Sequence, residues 1–210
     1  MTHVITQAAP AIVFDFGGVL MDWNPHYLFD KLMDNDPVAV DKFLSEVGFF
    51  EWNEEFDRGR PYVEGVAMLS DRFPQYADLI HAYDERYLET VRGCNQPVVD
   101  ILTSLKEQNY PLFGLSNWSF EKFTQVRKKY PFFDLFDDMV ISGLVKCIKP
   151  GPEIFGILLQ RTSRAAGDCI FIDDHKPNID AARDLGFQTI LFKSAVQLKS
   201  DLAEHGIFLA

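Results

Sequence analysis

The sequence predicts an α/β fold, with a parallel sheet covered by helices on both faces and a block of helices inserted after the first strand. From Cys94 onward, short apolar strands alternate with amphipathic helical segments, which is typical of such a sheet. Between residues 25 and 91 no apolar strand is recognisable, and apolar residues recur at helical spacing. We therefore expect a core made of residues 1–22 and 93–210, and a helical insertion, residues 23–92, over the carboxyl edge of the sheet.

The first predicted strand is the apolar run Ala11–Phe14, and Asp15 stands at its carboxyl end. Open α/β sheets bind their ligands at this edge. Gly17 and Gly18 follow, and two adjacent glycines allow the backbone to turn sharply beside a ligand. Taken alone, the segment leaves three roles open for Asp15: a nucleophile, a metal ligand or a residue that caps a loop.

The inserted block carries amphipathic patterns that predict four helices, at residues 27–33, 38–47, 63–73 and 76–90. Between them, residues 49–60 are rich in aromatic side chains and admit two interpretations. Either this segment faces the site, with Trp52 against a substrate and Arg58 or Arg60 on its anionic part, or it packs its aromatic rings inside the helical block and leaves both arginines in solvent. We carry Trp52 and Arg58 forward as candidate substrate-binding residues.

The second part of the chain predicts the remaining elements in alternation. Helices are expected at residues 98–108, 120–129, 153–161 and 179–185, and strands at 110–116, 139–142, 169–174 and 189–192. Pro152 is well placed at the first turn of one helix, and Gly186 at the end of another.

Composition limits the possible partners and the compartment. The formal net charge of -11 argues against a nucleic-acid partner, because phosphate backbones attract basic surfaces. No stretch approaches the ~20 apolar residues that a membrane span needs. Residues 1–10 contain no Lys or Arg and precede no long apolar core, so we expect no secretory signal. With three cysteines lacking metal-ligand spacing, the chain is expected to be a cytoplasmic protein with reduced thiols.

Polar residues follow several predicted strands. They are Asp15, Ser116 and Asn117, Lys149, and the pair Asp173 and Asp174. Because the carboxyl ends of parallel strands meet at one edge, we expect these residues to converge. Three close carboxylates repel one another, and Mg²⁺, which prefers a few hard oxygen ligands, would relieve that repulsion. A hydroxyl and an ammonium group beside them would hold phosphoryl oxygens, so the set predicts phosphoryl transfer.

The ordered segments Phe-Asp-Phe-Gly-Gly-Val-Leu, Leu-Ser-Asn, Ile-Lys-Pro and Phe-Ile-Asp-Asp resemble the four motifs of the haloacid dehalogenase superfamily. Each motif alone is weak, but four in order across nearly the whole chain are highly specific. The resemblance implies a Rossmann-like core with a mobile α-helical cap of the subfamily I type. Val-Leu-x-Asp-Trp-Asn-Pro after the first motif is similar to phosphatases of the sugar-1-phosphate phosphatase type.

The resemblance also implies roles for the converging residues. Asp15 matches the nucleophile that becomes an aspartyl phosphate. The Ser116 hydroxyl and a backbone amide at Asn117 match the groups that bind phosphoryl oxygens. Lys149 matches the lysine that neutralises the nucleophile and the phosphoryl group. The implied substrate is a small phosphorylated metabolite.

A Mg²⁺ cofactor is implied as well, together with its ligands. Asp173 and Asp174 match the acidic pair that anchors the ion, with Asp174 as the more direct ligand. Asp15 and the backbone carbonyl of Gly17 match the remaining protein ligands. Asn178, one helical turn after Asp174, is either an outer neighbour of the metal or an ordinary polar residue at a helix start.

Gly17 is a departure from the family pattern. Most family phosphatases have a second aspartate there, which acts as general acid and general base. Asp22 and His26 are candidate substitutes, although a hinge turn residue and an exposed histidine are the simpler interpretations. Two alternative functions stay open: a metal-independent haloacid dehalogenase, and a phosphate-binding regulatory protein with little turnover. Retention of Asp173 and Asp174 favours a Mg²⁺-dependent phosphatase.

Overall fold

The fold is described by a computed structural model covering residues 9–209. Residues 1–8 lie outside that range. They include most of residues 1–10, for which we expected no secretory signal.

Seven strands form two sheets in this range. They are β1 (Ala11–Phe14), β2 (Met21–Trp23), β3 (Val91–Cys94), β4 (Leu112–Ser116), β5 (Asp138–Ile141), β6 (Cys169–Asp173) and β7 (Gln188–Leu191). The larger sheet is parallel throughout and has the order β5-β4-β1-β6-β7. This confirms the predicted parallel α/β fold. The smaller sheet is an antiparallel pair of β2 and β3.

The helices connect and cover these strands. They are α1 (His26–Leu32), α2 (Pro37–Val47), α3 (Phe49–Asp57), α4 (Tyr62–Arg72), α5 (Ala77–Glu85), α6 (Gln96–Glu107), α7 (Phe120–Arg127), α8 (Ser142–Val145), α9 (Pro152–Thr162), α10 (Lys176–Asp184) and α11 (Ala195–Glu204). The first five lie between β2 and β3, so the predicted helical insertion after the first strand is confirmed. The others alternate with the strands of the large sheet.

Strand β1 occupies the centre of the large sheet and is fully buried. Its side chains alternate between two apolar clusters, as the two-residue period of a strand requires. Ile12 and Phe14 pack in the cluster that contains α6, α7 and α11. Ala11 and Val13 pack in the cluster that contains α9 and α10. Helices therefore cover both faces, and polar side chains are left to the strand ends.

The strand register brings the polar residues to one edge. Phe14 pairs with Gly114 of β4 on one side and with Ile172 of β6 on the other. The next residues along the three strands therefore lie at the same level of the sheet. These residues are Asp15, Leu115 and Asp173, and Ser116 follows Leu115 at the end of β4, so the polar side chains stand at the carboxyl edge, where parallel α/β sheets bind ligands.

The inserted helices enclose an aromatic cluster. Rings from α1, α2, α3 and α5 contact one another, with Phe29, Phe49 and Tyr83 fully buried in it. Gly48 ends α2 and begins α3 with a φ of 65°, a left-handed conformation that glycine adopts without steric cost. Segment 49–60, for which two interpretations stood open, is thus largely helical, and many of its rings face the interior of the helical block.

Three elements were not predicted from the sequence. The ribbon of β2 and β3 is too short for a period-2 pattern, and β3 contains both Arg92 and Gly93. Helix α8 has only four residues. Helix α11 carries a capping box between Ser194 and Gln197, a recognisable start signal that the sequence analysis did not use.

Among the helices of residues 9–209, none combines the length and the apolar character needed to traverse a lipid bilayer.

Candidate active site

Lys149 lies at the centre of the polar cluster and holds three oxygen atoms. Its Nζ is 2.9 Å from Asp15 Oδ1 and 2.7 Å from Asp173 Oδ2. It also donates a hydrogen bond of 2.8 Å to the carbonyl of Leu115 in β4. The lysine is almost fully buried, as are both carboxylates. A buried cation with all its donors occupied fixes the two acids relative to each other.

Burial makes ionisation of this cluster unfavourable. It raises the pKa of Asp15 to about 7, an effect that the Lys149 charge only partly opposes and that Asp173 reinforces. Burial also raises the pKa of Asp174, again with a contribution from Asp173. Burial lowers the pKa of Lys149, but the neighbouring Asp15 and Asp173 carboxylates raise it more, so the pKa lies above its ordinary value. One lysine therefore does not balance three neighbouring acids.

Asp15, Asp173 and Asp174 form a group suited to a divalent cation. Each offers a carboxylate oxygen, and these oxygens lie within 4.8 Å of one another. Gly18 makes room for the third acid, because a Cβ at this position would lie 2.0 Å from Asp174 Oδ2. Hard oxygen donors with an excess of negative charge fit Mg²⁺.

Asp173 is fixed by donors from the start of α10. The backbone N–H of His175 donates to its Oδ1 at 2.7 Å. The Asn178 amide donates to both carboxylate oxygens, at 3.2 and 3.0 Å. With Lys149 also donating to Oδ2, this carboxylate has little freedom to rotate. Asn178 therefore holds Asp173 from the first turn of α10, and its role as an outer neighbour of a metal stays a prediction.

The second predicted segment reaches the same edge. Ser116 is the last residue of β4 and is buried. The Asn117 side chain donates to the Lys149 carbonyl at 2.9 Å and accepts from the Lys149 N–H at 2.8 Å. Asn117 thus secures the loop that carries the lysine, which leaves its backbone amide, and not its side chain, for a ligand.

A cavity of about 120 Å³ separates this edge from the inserted helices. Its walls are Gly17, Trp23, Asn53, Asp57, Tyr87, Asn117 and Trp118. The Trp118 indole donates to the Tyr87 hydroxyl at 2.7 Å, which joins the core to the helical block. Burial raises the pKa of Asp57 to about 7, and the Glu54 charge adds to this effect. Sequence analysis missed Asp57, because a single acid in an aromatic, charged segment carries no motif.

The comparisons with known proteins identify the family. Residues 12–192 match the haloacid dehalogenase-like hydrolases as a group. The chain belongs to this family. The predicted superfamily and the predicted hydrolase class are therefore confirmed.

Curated relatives of this haloacid dehalogenase-like hydrolase include phosphatases. The sesquiterpene phosphatase astK of Aspergillus oryzae is 29% identical over 182 residues, which cover 84% of this chain and 86% of the relative. The D-ribitol-5-phosphate phosphatase of Bacteroides thetaiotaomicron is 25% identical over 210 residues, which cover 91% and 95% of the two chains.

Solved structures share the fold. An aspartate-to-alanine variant of a haloacid dehalogenase family enzyme from Bacteroides thetaiotaomicron, in complex with magnesium and inorganic phosphate, matches with a TM-score of 0.70. Its sequence identity is 20%, and the match covers 89% of this chain and 95% of that one.

Trp52 and Arg58, the two candidate substrate-binding residues of the helical block, lie in different places. Trp52 packs between Phe49 and Phe56 and donates its indole N–H to the Gly65 carbonyl at 3.0 Å, inside the helical block. The structure does not bring it to the carboxylates. Arg58 is exposed, pairs with Glu54 at 2.6 Å and borders a second cavity, of about 360 Å³, that Lys149 also lines.

The proposed substitutes for the missing acid lie elsewhere. Asp22 is exposed and accepts a hydrogen bond from the Tyr27 hydroxyl at 2.8 Å. His26 contacts Asp30 at 2.9 Å and Asp41 at 3.2 Å. Neither lines the cavity that contains Gly17. Both side chains are thus engaged with neighbouring polar residues away from that cavity.

Proposed function

We propose that the protein is a Mg²⁺-dependent phosphatase of small phosphomonoesters that works through an aspartyl phosphate on Asp15. One observation carries this proposal: the Asp15 carboxylate is held on Lys149 within a group of three acids at the carboxyl edge of the sheet. The phosphatase names of the curated relatives support the reaction class. The magnesium and phosphate in the structural neighbour support the same chemistry.

In the proposed reaction, Asp15 attacks phosphorus through the carboxylate oxygen that does not contact Lys149. The backbone amide of Asn117 binds phosphoryl oxygens, with the Ser116 hydroxyl beside it, and the positive charge of Lys149, held against Asp15, offsets the phosphoryl charge. Mg²⁺ would be held by Asp15, Asp174 and the backbone carbonyl of Gly17. Asp173, the residue before Asp174, would belong to the same ligand group. When bound, the ion supplies positive charge that offsets the carboxylates and the phosphoryl group.

We assign residues 23–92 as a cap over a core of residues 1–22 and 93–210. Trp23, Tyr87 and Trp118 form apolar walls around the cavity of about 120 Å³. Binding pockets for drug-sized ligands usually measure ~300–1,000 Å³, so this cavity admits only a small leaving group with the cap closed. A larger substrate requires the cap to move.

The proposal is tested by hydrolysis of p-nitrophenyl phosphate and a panel of polyol, sugar and prenyl phosphates, with Mg²⁺ and with EDTA. We expect Mg²⁺-dependent turnover that the Asp15→Asn variant lacks, because an amide is not a nucleophile. Asp134→Asn is the matched control, since Asp134 is exposed and, within residues 9–209, forms an ion pair with Arg127 alone. Chloride or fluoride release from haloacids without metal, or phosphate binding with no turnover on the whole panel, would contradict the proposal.

Binding of the ion has its own measurement. We expect Mg²⁺ to stabilise the wild-type protein and so to raise its melting temperature. At a concentration of about 100 times its Kd, the ion should increase the unfolding free energy by about 2.7 kcal/mol. The Asp174→Asn variant should lose most of this increase. An equal increase in both proteins would contradict the assignment of Asp174 as a metal ligand.

A further inference from the structure

Gly17 leaves the proposed reaction without a proton donor on the core side. An alkoxide is a poor leaving group unless it is protonated as the bond to phosphorus breaks, and general acid catalysis contributes ~10²–10⁴-fold to such steps. The place where a side chain at position 17 would lie is open, because within residues 9–209 no heavy atom other than those of its chain neighbours comes within 4 Å of a Cβ built there. The cavity in front of Gly17 is therefore where the missing group has to be sought.

The cap supplies a carboxyl group at that cavity. Asp57 is the last residue of α3 and lines the same walls as Gly17 and Asn117. Of the cavity's lining side chains in residues 9–209, only those of Asp57 and Tyr87 titrate. Burial raises the pKa of Tyr87 far above its ordinary value of 10.0, so its hydroxyl does not exchange a proton near neutrality.

We propose that Asp57 is the general acid and general base of this enzyme, delivered from the cap in place of the core residue that Gly17 replaces. The inference rests on the proposed phosphatase function and deepens it. It gives the cap a chemical role in addition to enclosing the substrate.

The surroundings of Asp57 suit proton exchange. Burial raises its pKa to about 7, where both protonation states are populated near neutral pH. The backbone of Ser119, on the core side, partly opposes this rise in pKa. The charged and titratable groups that face it are Glu54 on its own helix, Asp15 and Lys149 on the core, and Tyr62, Tyr83 and Tyr87 in the cap.

The proton balance closes over the two steps. As a bond forms between Asp15 and phosphorus, the bond from phosphorus to the leaving oxygen breaks, and the Asp57 carboxyl proton passes to that oxygen to release an alcohol. A water molecule then attacks phosphorus and gives its proton to the Asp57 carboxylate. The bond between phosphorus and Asp15 breaks, phosphate leaves, and Asp57 is protonated again.

The test compares leaving groups. For Asp57→Asn we expect kcat/KM on an alkyl phosphate such as ethyl phosphate to fall ~10²–10⁴-fold, because alkoxides need the acid. The fall on p-nitrophenyl phosphate should be much smaller, since nitrophenolate leaves without protonation. The affinity for inorganic phosphate, measured by calorimetry, should stay near the wild-type value. Glu51→Gln is the matched control, because Glu51 is an exposed carboxylate on the same helix. It should leave kcat/KM unchanged on both substrates.

Gly17→Asp provides a second and independent readout. In the Asp57→Asn background it should restore part of the ethyl phosphate activity. In the wild-type background any gain in that activity should be smaller than in Asp57→Asn, because a donor is already present. If Asp57→Asn does not fold, the wild-type background alone still tests the inference, because a large gain on ethyl phosphate there would show that no donor is in place.

Three outcomes would overturn the inference. One is an equal loss, or no loss, on both substrates in Asp57→Asn. Another is a large gain on ethyl phosphate from Gly17→Asp alone. The third is a wild-type protein that hydrolyses neither ester with Mg²⁺, which would also overturn the proposed function, whereas the first two leave that function standing.

Discussion

At the residue scale, the two glycines after Asp15 have different reasons to be there. Gly18 has a φ of +71°, and a Cβ would collide with the Asp174 carboxylate. Gly17 needs neither a left-handed backbone nor the absence of a side chain. Backbone geometry and packing therefore require glycine at position 18 only, and the identity of residue 17 is a matter of chemistry.

Asp57 gives a pH-dependent stability that is measurable without any substrate. Its pKa is 3.8 when unfolded and about 7 when folded, because burial disfavours the charge. Below pH 3.8 Asp57 is protonated in both the folded and the unfolded state, so it adds no pH dependence to the stability. As pH rises from 4 to 7, the unfolded state alone loses the proton, and folding stability falls.

We therefore expect the melting temperature of the Asp57→Asn variant to increase relative to that of the wild type as pH rises from 5 to 8. The comparison by differential scanning calorimetry cancels the titration of all other groups. A difference that stays constant with pH would show that Asp57 ionises normally in the folded protein.

At the scale of elements, the sequence predicted most of the core. The strands that end in Asp15, Ser116 and Asp173 were found because buried parallel strands are continuous apolar runs, and each carries its functional group directly after the run. Convergence of these groups followed from topology alone. Lys149 was expected at the same edge, but its role came from the resemblance, and its exact position depends on a loop that Asn117 fixes.

The cap was harder to predict. Its helices were recognised by apolar spacing, but the same aromatic residues suit a substrate pocket or an interior. Trp52 belongs to the interior and Asp57 to the cavity, although they lie five residues apart on one helix. Which side of α3 meets the core depends on contacts between residues distant in the sequence, and periodicity does not contain that information.

Two glycines in helices offer an element-scale prediction. In α8, a Cβ at Gly143 would lie 2.6 Å from the Phe120 backbone nitrogen and 2.9 Å from the Trp118 carbonyl oxygen. Backbone atoms cannot move aside as a flexible side chain can, so we expect Gly143→Ala to lower the unfolding free energy by about 1–3 kcal/mol.

Gly156→Ala is the matched substitution. Gly156 lies exposed within α9, with nothing near its Cβ position, and alanine there should add about 1 kcal/mol through helix propensity. Urea unfolding of the two variants measures both changes. Changes of the same sign would contradict the close approach of α8 to the start of α7.

At the scale of the whole molecule, a buried lysine links the core to the cap. Lys122 of α7 forms an ion pair with Asp84 of α5 and donates to the Asp84 carbonyl at 2.8 Å. Its Nζ also lies 4.2 Å from the centre of the Tyr62 ring. Because these contacts cross between the two parts of the chain, they favour the closed arrangement described here.

Replacing this lysine should loosen the cap. For Lys122→Met, which keeps the apolar stem, we expect the unfolding free energy to fall by about 1.5–3 kcal/mol, the usual range for a hydrogen bond to a charged group. Amide hydrogen exchange should accelerate in α4 and α5 more than in β1. Lys129→Met, an exposed lysine shortly after α7, is the control. Acceleration spread evenly over the chain would indicate a general loss of stability instead.

The small ribbon of β2 and β3 has a consequence for how such an enzyme can diversify. Trp23 pairs with Val91, so the chain leaves the core and returns to it at neighbouring points. The chain between these residues therefore begins and ends at one place, and insertions of this kind are tolerated at surface positions. If residues 23–92 act as a cap, we expect that other helices could be inserted at this place without rearranging the carboxyl edge of the large sheet.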